Sequence, residues 1–98
     1  MRITPFERRS IRESARRHFG EDCAAYLFGS RTRDDWRGGD IDLLIETESN
    51  APVEYAKKLA FRSDLKSRIG DQKIDVLFTR PGDNRPIILE AKSEMVRL

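Results

Sequence analysis

Two acids separated by one apolar residue, Asp40-Ile41-Asp42, open an apolar run that continues Leu43-Leu44-Ile45. Upstream stands Phe28-Gly29-Ser30, joined to the acids by a polar loop. Successive side chains of a strand point to opposite faces, so Asp40 and Asp42 project the same way, roughly 7 Å apart, while Ile41, Leu43 and Ile45 fill the other face. Carboxylates held that close raise each other's pKa unless a cation sits between them. Paired oxygen ligands on a strand suit Mg2+, which takes one or two protein carboxylates together with substrate phosphates. Gly29 has no Cβ, so backbone N–H groups can approach a phosphate there. Ser30, if it opens a helical turn, adds a hydroxyl and a turn N-terminus that favour an anion. Arg31 and Arg33 offer planar, bidentate donors for distal phosphates.

A third acid comes from further along. In the segment Gln72 to Thr79, Lys73, Asp75 and Leu77 alternate with Ile74, Val76 and Phe78, so Asp75 followed by Leu77 repeats the pattern of Asp42 followed by Leu44. A right-handed helical crossover would make this strand parallel to that of Asp42. Both acids would then lie near the starts of neighbouring strands, on one face. A short loop before Asp40 makes the preceding strand antiparallel and brings Gly29-Ser30 back to the same edge. Three separated pieces of sequence converge on one spot. Three carboxylates there can hold two divalent cations, with Asp40 and Asp42 bridging and Asp75 beside an incoming acceptor as ligand and general base.

The elements that must position these groups are legible around them. Thr4-Pro5-Phe6-Glu7 is a helix start, with Thr4 as cap, Pro5 in the first turn and Glu7 completing a capping box. Ile11, Ala15 and Phe19 form one apolar stripe, and Gly20 ends the helix. Cys23 to Phe28 is a short buried strand, residues 31–39 a polar loop ending Gly38-Gly39, and Asp40 to Glu46 the second strand. Asn50 to Glu54 opens a second helix that runs to Ile69, with Val53, Ala56, Leu59, Ala60, Leu65 and Ile69 facing the core. After the third strand, Pro81-Gly82-Asp83-Asn84 is a turn, Pro86 to about Glu94 a third helix, and Met95 to Leu98 a short edge strand. The expected fold is α/β (α+β), in the order α-β-β-α-β-α(-β), a mixed sheet of three to four strands with helices packed on it. The reading is one domain over residues 1–98.

Composition narrows the class. With 38% hydrophobic and 37% charged residues, the core must be compact and the surface heavily ionised. No apolar run approaches the ~20 residues of a membrane span, and no signal-peptide pattern follows Met1. Cys23 is the only cysteine and His18 the only histidine, which excludes an intrachain disulfide and a four-ligand Cys/His zinc site. A cytoplasmic protein without a membrane partner is expected. The net charge of +2 does not by itself imply nucleic-acid binding. Arg8, Arg9, Arg12, Arg16 and Arg17 crowd the first helix, yet Glu7 and Glu13 interrupt them, so a protein-partner surface is preferred over a nucleic-acid stripe.

Gly29-Ser30, the intervening loop, Asp40-Ile41-Asp42 and the later Ile74-Asp75-Val76 resemble the signature of the polymerase-β-like nucleotidyltransferase superfamily. The start Phe28-Gly29-Ser30-Arg31 and the length resemble its minimal nucleotidyltransferase (MNT) branch. That resemblance implies a nucleotidyltransferase fold, Mg2+ (two ions), ATP or another NTP, and transfer of an NMP to a hydroxyl. Asp40, Asp42 and Asp75 match the metal-binding acids, and Gly29 and Ser30 the phosphate-contacting turn. The loop before Asp40 is about a residue shorter than in many relatives, which bears on Arg31 and Arg33. The branch further implies a HEPN-type partner toxin that the antitoxin adenylylates. A homodimer is a second source of the acceptor-binding surface that 98 residues have little room to supply. Two other functions compete with this one: occlusion of the partner without catalysis, and nucleotidyl transfer to a small molecule such as an aminoglycoside.

Each residue also has an ordinary reading. An isolated Asp-x-Asp is more often a solvent-facing strand edge, and Gly-Ser more often a routine turn; the combination with Asp75 carries the chemistry. Asp71, the rival third acid, follows Gly70 in a turn, where Asp is common for local hydrogen bonding. Trp36 is better read as anchoring its own loop, His18 as an exposed residue near a helix C-terminus, and Cys23 as a small core residue.

Overall fold

The computed structural model describes residues 3–29, 40–48 and 52–98. Ser30, Arg31, Arg33, Trp36, Gly38 and Gly39 lie outside the described residues, as do Asn50 and Ala51. Helix α1 spans Pro5–Phe19 and begins as its sequence dictates: the Thr4 side chain accepts from the Glu7 backbone, and the Glu7 carboxylate accepts from Thr4 N at 2.9 Å. Strand β1 is Ala24–Phe28 and β2 is Ile41–Glu46; helix α2 is Tyr55–Ile69 and β3 is Ile74–Thr79; α3 is Pro86–Lys92 and β4 is Val96–Arg97. The sheet order is β3-β2-β1-β4, with β2 and β3 parallel and the other pairs antiparallel. The expected mixed sheet, its crossover and its closing edge strand are all present.

Alternation divides the sheet into two faces. Ala25, Leu27, Ile41, Leu43, Ile45 and Ile74 pack with Ile11 and Ala15 of α1 and Phe61 and Leu65 of α2 into the main core. On the other face Leu44 is buried, Ile88 and Ala91 of α3 are buried, and Lys92 reaches Glu46 at 3.7 Å. Helix α3 thus covers the C-terminal half of β2 and leaves its N-terminal end uncovered. The end that α3 does not reach carries the acids.

Helix α2 departs from expectation in its first half. Ala56, Leu59 and Ala60 are exposed, and Phe61 is the residue that enters the core. The reason is the antiparallel packing of α1 and α2: His18 meets Asp64, Phe19 packs at a tilt against Phe61 with ring centroids 5.2 Å apart, and Gly20 then ends α1. The first turn and a half of α2 runs past that end, and among the described residues nothing covers Ala56, Leu59 or Ala60. His18 is also not an exposed residue; at 17% exposure it lies 3.2 Å from Asp64 Oδ2, which Ser14 Oγ also reaches at 2.8 Å.

The longer of the two edge strands of the sheet is β3. Lys73 and Thr79 turn their carbonyls toward β2, so Ile74, Val76 and Phe78 turn theirs outward. Two arginines occupy the outermost of these: Arg62 donates to Ile74 O at 3.1 Å and Arg85 to Phe78 O at 2.8 Å. Charged caps on an exposed edge discourage pairing with another strand.

Candidate active site

The register brings the acids together. Asp42 and Asp75 are direct partners across the parallel β2–β3 pair, and Phe28 is the antiparallel partner of Asp42. Adjacent strands lie about 4.8 Å apart, and side chains of paired residues share a face. Gly29 therefore arrives beside Asp42, on the flank opposite Asp75. Asp40 stands one residue before β2, where its carboxylate is 3.4 Å from Lys73 Nζ. Asp42 is half-buried and Asp75 exposed, an order that suits a ligand-holding group behind an acceptor-facing one.

Gly29 has a geometric reason to be glycine. Its φ is +74°, a left-handed conformation, and a Cβ there would collide with Asp42 Oδ2 and lie 3.1 Å from Asp42 Cγ. The turn and the carboxylate share one space, so a side chain at position 29 could enter only by displacing the Asp42 carboxylate. A phosphate held by backbone N–H groups at such a turn would lie next to Asp42. Ser30, Arg31 and Arg33, assigned to the same cradle from sequence, lie outside the described residues.

The electrostatics agree with the crowding. Asp42 is pushed above the ordinary carboxylate range, first by desolvation, then by Asp75 and Asp40, with Lys73 pulling the other way. Lys73 was visible in the alternation as a neighbour of Asp75, and its part here is to offset repulsion among the acids. Among the described residues no group of three or more carboxylate, imidazole or thiol side chains is already gathered to hold a metal ion. The donor set nevertheless fits a hard divalent cation: the donors are carboxylate oxygens, they repel one another, and among the described residues the positive charge near them is the exposed Lys73. The rival Asp71 is exposed in the bend after α2, ahead of the strand and out of its register.

Two polar clusters lie elsewhere. Asp64 accepts from Ser14, His18 and Arg68, tying α1 to α2. Asp83 accepts from Thr79 Oγ1 at 2.8 Å and from Arg85, which holds its carboxyl far below the ordinary range. A groove of about 510 Å3, walled by Thr47, Lys58, Phe78 and Arg85, lies near the second cluster, at the opposite end of the strands from the acids. Neither cluster was singled out from sequence, because each joins residues whose contact depends on tertiary packing or on the turn geometry at the end of β3.

Comparisons with known proteins bear on this arrangement. A family model described as nucleotidyltransferase domain matches residues 8–97. No curated protein matches the chain. The structure is similar to a solved chain from the tri-AMPylated Shewanella oneidensis HEPN toxin in complex with MNT antitoxin, with a TM-score of 0.62 and 15% identity, over 93% of this chain and 67% of that one. At that identity the likeness is one of fold.

Proposed function

The chain belongs to the nucleotidyltransferase domain family, and we propose that it is an active, Mg2+-dependent enzyme which transfers AMP from ATP to a hydroxyl of a HEPN-type partner protein and so acts as an antitoxin. The observation that carries the catalytic part is the pairing of Asp42 with Asp75 beside a left-handed glycine turn whose added Cβ would displace the Asp42 carboxylate. The partner and the nucleotide are taken from the fold relative, which was captured with an AMPylated HEPN toxin.

In this reading the turn at Gly29 receives the phosphates through its backbone and sets the α-phosphorus against the acids. Asp40, Asp42 and Asp75 would hold the cations, which when bound polarise the phosphate and stabilise the leaving oxygen. Asp75, the exposed member, accepts the proton of the acceptor hydroxyl. The new bond joins the acceptor oxygen to the α-phosphorus. The bond to the β-phosphate oxygen breaks, and pyrophosphate leaves.

The test pairs the protein with a HEPN-type protein encoded beside it and supplies ATP labelled at either the α- or the γ-phosphate. Nucleotidyl transfer labels the partner from α-labelled ATP only. Label arriving from the γ-position would mean phosphoryl transfer. Full neutralisation of the partner with no label from either would favour occlusion.

A further inference from the structure

We propose that the arginine face of α1 is a docking surface for the phosphodiester backbone of a nucleic acid, separate from the site of the acids. Arg8, Arg12 and Arg16 follow at four-residue intervals, so their Cα atoms climb the helix in steps of about 6 Å and form a row about 12 Å long. Arg9 stands beside them, and all four are exposed. The two glutamates that interrupt this run in sequence are bonded to other partners, with Glu13 at the margin of the face beside Arg9. Glu7 is engaged with Thr4 N and with Gln72 Nε2 at 2.7 Å, and Glu13 with Arg68 at 3.1 Å, both toward α2. Arg9, Arg12 and Arg16 make no ion pair among the described residues, and Arg8 only touches Arg97 O at 3.4 Å.

The location excludes the nucleotide substrate as the ligand. Helix α1 packs on the sheet face of Leu27 and Leu43, whereas Asp42 and Asp75 project from the other. No triphosphate bound at the acids reaches the arginines.

The choice between a nucleic acid and an acidic protein rests on what surrounds the row. Protein interfaces are centred on apolar or aromatic anchors seated in pockets. Among the described residues there is none between Arg8, Arg12 and Arg16: the exposed Phe6 lies across the helix axis from Arg8 and Arg12, at the far edge beside Arg9, and Val96 is the one large apolar side chain exposed on the neighbouring strand. The recess that Arg12 and Arg16 wall holds about 80 Å3, far below the ~300 Å3 at which ligand pockets begin. A row of guanidinium groups without an anchor suits a ligand bound by charge along its length, and phosphate contacts of that kind position without reading sequence.

The measurement is fluorescence anisotropy with labelled short duplex RNA and duplex DNA, each at roughly 50 and 200 mM salt. Three phosphates neutralised give a slope of about −2.7 in log K against log salt, which weakens binding about 40-fold over that range. Changing Arg8, Arg12 and Arg16 singly to Gln lowers the slope by about one each, and the triple variant loses it. Arg12→Lys keeps it, and Arg17→Gln leaves binding unchanged. Unaltered melting of the triple variant shows that the fold persists. RNA and DNA bound alike point to the backbone; preference for one names the source. The proposal is overturned if the triple variant binds with the wild-type slope, if Mg-ATP displaces the duplex, or if polyglutamate binds as tightly as either duplex, which would assign the face to an acidic protein. It does not depend on the proposed transfer activity.

Discussion

Replacing Gly29 with Ala tests the shared space between the turn and Asp42. Two costs arise, and they can be separated. A non-glycine residue at φ +74° is in the left-handed region, which costs about 1–2 kcal/mol. The added methyl also meets the carboxylate of Asp42, and overpacking of this kind costs about 1–3 kcal/mol more. Gly82 is the control: its φ is +83°, but a Cβ there meets nothing within 4 Å, so Gly82→Ala carries the first cost alone. For a domain of this size ~1 kcal/mol moves the melting temperature by about 4–8 °C, so calorimetry resolves the two variants. The Gly29→Ala protein should melt lowest, and a second change, Asp42→Ala, should restore the overpacking part as a favourable coupling in a double-mutant cycle. Transfer of AMP should fall about 100-fold in Gly29→Ala, since a displacement of ~1 Å at a reacting group costs that much, and stay near wild type in Gly82→Ala. Equal stability of the two single variants, with activity retained in both, would refute the shared-space argument.

Asp42→Asn should stabilise the metal-free protein at neutral pH. A carboxyl whose folded pKa lies above its unfolded value of 3.8 binds more protons when folded, so stability falls as pH rises through that interval; urea midpoints against pH should decline for wild type and flatten for the variant. Asp64 has the opposite sign. Burial opposes its ionisation, but hydrogen bonds from Ser14, Arg68 and His18 outweigh it and lower its pKa, so its contribution is present above pH ~3.8 and is lost as pH falls through the folded value. Asp64→Asn should therefore flatten the acid limb of the same urea series. Removing both Arg62 and Arg85 bares the outward carbonyls of β3, and sedimentation should show concentration-dependent association that wild type lacks.

What could be read from sequence was what depends on local spacing. The capping box at Thr4 and Glu7, the glycine stop at Gly20 and the alternation through Asp42 and Asp75 each follow from short-range geometry, and each stands as expected. The convergence of Gly29, Asp42 and Asp75 also followed, because an antiparallel neighbour and a parallel crossover leave little choice of register. Contacts that need two distant elements to meet at a given height were not legible. Nothing in the chain says where α1 stops relative to α2, so helical spacing alone points to Leu59 as core and not to Phe61. The same offset hid the bond between His18 and Asp64. Glu7 and Glu13, which break up the arginines in sequence, turn toward α2 because their partners, Gln72 and Arg68, arrive from more than fifty residues away.

The most direct test of the site compares three substitutions in one assay, the single-turnover transfer of label from α-labelled ATP to the partner. Asp42→Asn and Asp75→Asn should each lower the rate at least ~100-fold, the scale of loss expected when a positioned catalytic group is removed. Asp71→Asn, which alters the neighbouring acid outside the strand register, should stay within about twofold, as surface changes away from a site do. A rate that survives loss of Asp42 and Asp75, or that falls with Asp71 instead, would contradict the account.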